Sequence, residues 1–172
     1  MNAVIVDTNV LVIANGEADH ASLDCIEHCQ NRLETILSRP EKVVIDDGWR
    51  ILGEYDDNTK PNTRKGVGDL FVKTLMQNQG NPNICSLVHI TSLKGNGTDF
   101  QEFPTDNALS GFDPDDRKFI AVTLAYQQDT GETATILLAI DRGWLQFTNA
   151  LVIHGFTIDL ICKKDIQRPR QN

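Results

Sequence analysis

The sequence predicts an α/β protein in three layers, a central and mainly parallel sheet with helices on both faces. Three observations carry that expectation. Residues 3–6, 42–45 and 135–140 are short, β-rich apolar runs without polar alternation, the pattern of strands buried on both faces. Stretches with helical apolar spacing lie between them, and strands alternating with helices imply parallel pairing. The chain has 172 residues, 40% hydrophobic and 23% charged, enough for one substantial core.

The elements follow in order. Residues 22–38 place Leu23, Ile26, Cys29, Leu33, Ile36 and Leu37 at helical spacing and stop before Pro40. Residues 115–127 place Phe119, Ile120, Val122, Thr123 and Tyr126 likewise, with Pro114 suited to a first turn. A short helix over 149–154 ends at Gly155, and 156–161 reads as a last strand. Between them, 64–78 looks helical and 84–90 strand-like, while 93–111, rich in Gly, Asn, Asp and Thr, reads as loop. The expected organisation is one domain over residues 1–162, with 57–110 an irregular helical and loop insertion, and a frayed basic tail over 163–172.

A formal net charge of −8 argues against a general nucleic-acid coat protein, because phosphate binding normally draws on excess Lys and Arg. A nucleic-acid partner would need an offsetting charge, such as a divalent ion among clustered carboxylates. No basic region precedes the first apolar run, so no signal peptide is read there, and the longest apolar run is far too short to cross a bilayer. No membrane association is expected, and a cytoplasmic location is the default. The four cysteines form no CxxC pair. Cys25 and Cys29, with His28 beside them, lack the paired spacing of a structural zinc site and read as buried thiols of a reducing compartment.

Each of the three buried runs is followed by an acid: Asp7, Asp46 and Asp141. In an open parallel sheet the carboxyl ends of the strands share one edge, where ligands bind. Taken singly, such acids are often turn or cap residues. Three converging on one crevice repel and raise each other's pKa unless a cation sits among them.

The run Val4-Ile5-Val6-Asp7-Thr8-Asn9-Val10-Leu11-Val12 resembles the opening motif of the PIN-domain nucleases. Trp49-Arg50-Ile51-Leu52-Gly53-Glu54-Tyr55 resembles their second motif, a Glu on the helix after the second strand. Phe112-Asp113-Pro114-Asp115-Asp116-Arg117-Lys118-Phe119-Ile120-Ala121 resembles the third, and 136–141 followed by Arg142-Gly143-Trp144-Leu145 the fourth. The match covers both ends of the chain and little of its middle. It implies a metal-dependent endoribonuclease leaving a 5′-phosphate and a 3′-hydroxyl. Asp7, Glu54, Asp116 and Asp141 would be the catalytic and metal-binding acids, and Thr8 and Asn9 would organise them. Two alternatives stay open: Asp46 or Asp47 in place of Glu54, whose distance from the strand is longer than usual, and Asp113 or Asp115 in place of Asp116. Where Trp144 stands the family commonly has a further polar or acidic residue.

Mg²⁺ or Mn²⁺ suits an oxygen-only ligand set. Arg50, Arg117 and Arg142 are candidate phosphate contacts, with local ion pairing, including Arg50 to Glu54, as the plainer reading. Lys60, Arg64, Lys65, Lys73, Lys163, Lys164, Arg168 and Arg170 are candidates for tracking an RNA backbone. Trp49 and Trp144 could stack on bases, but both read more simply as core. The expected partners are an RNA substrate, an antitoxin or other protein if the chain is a toxin, and a second copy in a homodimer. The rival class is a PIN-like module that holds RNA or protein without cutting, and a divalent-ion titration separates the two. A phosphatase would want a second Asp where Asn9 stands, a receiver domain a Lys after a late strand, and a dinucleotide enzyme a glycine-rich turn after the first strand.

Overall fold

The computed structural model describes residues 2–39, 41–93, 95 and 97–167. Its strands are β1 (Asn2–Val6), β2 (Glu41–Asp46), β3 (Cys85–Val88), β4 (Ala134–Leu138) and β5 (Thr157–Leu160). Its helices are α1 (Thr8–Ala14), α2 (Leu23–Ser38), α3 (Arg50–Asn58), α4 (Val67–Asn78), α5 (Arg117–Thr130), α6 (Arg142–Leu145), α7 (Thr148–Ile153) and α8 (Lys163–Gln167). The five strands form one all-parallel sheet in the order β3-β2-β1-β4-β5. The chain runs outward from β1 to β3, then crosses back to β4 and β5. The order therefore reverses between β1 and β4, and in sheets of this kind the carboxyl ends at such a reversal are where ligands bind.

β1 and β4 are central, and Val4, Ile5, Val6, Ile136, Leu137 and Leu138 are all buried, which is why their sequences lack alternation. α1, α2 and α4 pack on one another as one layer. α5 packs against β2, β3 and β4 as the other, through Phe119, Ile120, Val122 and Tyr126. Ser22 caps α2, its hydroxyl accepting from the Cys25 N–H at 3.2 Å. Gly131 ends α5 in the left-handed conformation that glycine allows (φ 74°).

Residues 57–110 supply α4 and the edge strand β3 to the common core, and the loop read over 93–111 holds an isolated bridge, Ser92 to Phe100, and a 3₁₀ turn, Asn107–Leu109. The first part of the basic tail forms α8 instead of fraying. Asp165 on it is buried and accepts from the Ser22 N–H at 2.7 Å and the Ser22 hydroxyl at 2.8 Å. Arg168 and Arg170 lie outside the described residues.

The reading of Cys25 as a buried thiol of a reducing compartment is corrected, while that of Cys29 as a buried thiol stands. Cys25 on α2 and Cys162 just before α8 form a disulfide, with Cα atoms 5.2 Å apart, and Cys29 and Cys85 remain buried thiols. The pairing joins positions separated by 137 residues, so local spacing could not signal it. His28 is exposed and adds nothing to the cluster. Among the described residues no helix is long and apolar enough to cross a membrane.

Candidate active site

Asp7 follows β1 and caps α1, its Oδ2 accepting the Asn9 N–H at 3.2 Å. Only 2% of it is exposed. Burial pushes its carboxyl well above the ordinary carboxylate range, the charges of Asp116 and Asp141 push it further, the Asn9 N–H opposes them, and Glu54 adds a smaller upward push. The four acids singled out by the motifs therefore share one electrostatic neighbourhood, although they come from four separate segments.

Asp141 caps α6, its Oδ1 accepting the Gly143 N–H at 2.8 Å. Its Oδ2 accepts from Asn9 Nδ2 at 3.2 Å. Asn9 thus spans the switch point, holding Asp7 through its backbone and Asp141 through its side chain. Asp116 ends the 3₁₀ turn Pro114–Asp116 that leads into α5. Burial first, then Asp141 and Asp113, raise its carboxyl to about 7, against lowering by Lys118 and by the Trp144 indole. That indole donates to Asp116 Oδ2 at 3.0 Å from a fully buried ring, edge-on to Phe112 at 4.9 Å between centroids. Trp144 is the core residue the sequence suggests, and it also positions an acid of the site.

Glu54 lies half-buried on α3, its carboxylate accepting from the Thr8 hydroxyl and paired with the Lys118 ammonium. Lys118 also donates to the Asp115 carbonyl and is buried on α5. Sequence reasoning missed it, because a lysine beside Phe119 and Ile120 looks like part of a solvated helix face. Its spacing of two residues from Asp116 was the available signal.

The other acids have structural partners. Asp46 is buried at the end of β2 and accepts the N–H groups of Arg50 at 3.0 Å and Ile51 at 2.8 Å, so it caps α3. Asp47 pairs with His89 at 3.0 Å. Asp113 accepts the Asp115 N–H at 3.0 Å and is exposed, as is Asp115. The arginines are likewise placed by local contacts. Arg50 pairs with Asp46 at 3.3 Å, not with Glu54, and lies 5.6 Å from the Phe100 ring centroid. Arg117 pairs with Asp99, donates to the Phe112 carbonyl at 3.4 Å and stands 5.2 Å from the Phe103 ring centroid, where it organises the long loop. Arg142 opens α6 directly after Asp141. Of the candidate backbone-tracking cations, Arg64 pairs with Glu17.

Among the described residues, the His, Cys, Asp and Glu side chains that bring three ligand atoms within 4.8 Å of one another are Cys25, Cys29 and Cys162. The four carboxylates are spaced more widely, as like charges are expected to be, with Glu54 drawn to Lys118. The likeness to an Mg²⁺ or Mn²⁺ ligand set is one of donor type, since all four offer hard carboxylate oxygens. In comparisons with protein-family models, with curated proteins and with solved structures, no match is found.

Proposed function

We propose that the chain is a metal-dependent endoribonuclease of the PIN-domain kind, hydrolysing phosphodiester bonds at the crevice between β1 and β4. The observation that carries this reading is the electrostatic convergence of Asp116, Asp141 and Glu54 on the buried Asp7 at the topological switch point. Four motifs far apart in sequence supply one acid each, and the strand order supports their placement on one edge. Asp7, Glu54, Asp116 and Asp141 would hold Mg²⁺ or Mn²⁺, which when bound would polarise the scissile phosphate and ease deprotonation of the attacking water.

The chain's own residues prepare that site. Asn9 sets the separation of Asp7 and Asp141. Thr8 and Lys118 hold Glu54, and Trp144 fixes Asp116. We infer a role as a toxin restrained by an antitoxin or as a defence nuclease, with a second copy of the chain as a further candidate partner; a cytoplasmic setting would require the Cys25–Cys162 pair to be held as thiols in the cell.

The test is cleavage of a single-stranded RNA with Mg²⁺ or Mn²⁺. Cutting should require the metal, stop with chelator and vanish in Asp7→Asn. Cutting that persists in excess chelator would overturn the reading. A metal-stabilised protein that binds RNA without cutting would make it a binding module.

A further inference from the structure

We infer that Trp49 is a stacking platform for an unpaired nucleobase, so that the strand entering the crevice is gripped by a base as well as by its backbone. The inference rests on the nucleic-acid reading above and adds to it the side chain that would contact the bases. The structure divides the two tryptophans. Trp144 is buried, while Trp49 is 45% exposed and lies off the buried face of α3, which is made by Ile51, Leu52 and Tyr55.

Trp49 is also the one non-glycine residue with positive φ among the described residues (φ 62°, ψ 20°), a left-handed conformation that L side chains adopt at a cost. Its surroundings hold it there. Asp46 fixes the N–H groups of Arg50 and Ile51 on one side, the Asp47 N–H donates to the Val88 carbonyl at 2.9 Å on the other, and the Trp49 carbonyl accepts from Gly53 at 2.9 Å. Strain kept in place by its neighbours marks a side chain whose position matters.

The location suits a substrate contact. The β1–β2 register that pairs Val4 with Val43 carries Asp7 opposite Asp46, so the turn holding Trp49 leaves the same sheet edge as the acids. Among the described residues no hydrogen bond is made by its indole N–H. A chain of net charge −8 gains little from phosphate attraction, and an aromatic face binds any base by stacking, which salt does not screen.

The experiment measures binding by the full chain, with Ca²⁺ in place of Mg²⁺, of single-stranded 12-mers: oligoadenylate RNA, oligoadenylate DNA, and an abasic DNA strand of equal length. The wild type should bind the base-bearing strands about tenfold more tightly than the abasic strand. Trp49→Ala should lose that preference, Trp49→Phe should keep most of it, and the loss should persist at high salt. Trp49→Gly, which relieves the left-handed backbone, should lose the preference while melting no lower than Trp49→Ala. Equal preference for bases in the wild type and Trp49→Ala would overturn the inference, as would failure to bind any strand. Base-dependent binding through Trp49 without cleavage in Mg²⁺ would sustain it and remove the nuclease reading alone.

Discussion

Asp116 carries the most testable chemistry of any one residue. A carboxyl whose folded pKa lies above its unfolded value holds its proton more tightly in the native state, so stability falls as pH rises through the interval between the two. For Asp116 that interval runs from the ordinary value of 3.8 to about 7. Asp7 adds a slope of the same sign. The metal-free protein should therefore melt at a higher temperature near about pH 5.5 than near about pH 8, and Asp116→Asn, which keeps an acceptor for the Trp144 indole, should flatten part of that difference. Added Mg²⁺ should recover stability mainly at the higher pH, where the carboxylates are charged. A thermal melt at both pH values with and without Mg²⁺ checks this, and a variant with the wild-type slope would remove Asp116 from the cluster.

At the scale of elements, the turn from β2 into α3 separates two acids that sequence alone left in competition. Asp46 sits at the strand end and Glu54 lies farther along, yet Asp46 spends both carboxylate oxygens on the first turn of α3 while Glu54 faces Thr8 and Lys118. Asp46→Asn keeps one of the two acceptors, so it should lower stability by less than the ~0.5–2 kcal/mol that alanine costs at a cap, and leave cleavage measurable. Glu54→Gln should abolish cleavage, and the reverse ranking in a paired activity and melting assay would move the site to the strand end. β1, β2 and β4 were legible because burial on both faces leaves continuous apolar runs. α2 was legible because it buries one face and α5 because its apolar run follows a first-turn Pro114, although α5 is buried nearly all round over 118–123, and their limits moved by only a few residues. α1 was not, since Thr8-Asn9-Val10 reads as a site motif before it reads as a helix, and nothing local marks Asn9 as a bridge to Asp141. Arg50 was paired in expectation with the wrong acid, because helical spacing favours a Glu four residues on, whereas a buried Asp four residues back offered fixed geometry.

For the molecule as a whole, the disulfide is the feature sequence reading missed, and it sets a constraint that packing does not. Linking positions separated by 137 residues lowers the entropy of the unfolded chain, a contribution of about 3–5 kcal/mol for a loop of that size. Reduction, or the double change Cys25→Ser and Cys162→Ser, should lower the melting temperature by roughly 10 °C. An unchanged melt in reductant would mean that the purified protein holds the pair as thiols. Both sulfurs belong to buried residues, and the free Cys29 thiol lies 3.8 Å from Cys162 Sγ, its ionisation pushed up to about 12 by burial and by Asp165. That position disfavours the thiolate needed for exchange with the disulfide.

The closed ring from Cys25 to Cys162 contains β2, β3, β4 and β5 but not β1. The central strand, with Asp7 at its end, thus lies outside the ring while both of its neighbours in the sheet, β2 and β4, lie within it. Under a force pulling the two ends of the chain apart, the ring could not be extended, and the tension would fall on the segments outside it, before Cys25 and after Cys162. β1 and α1 on one side and α8 on the other would take the load, and drawing out β1 would separate Asp7 from Asp141 while the strands inside the ring stayed linked.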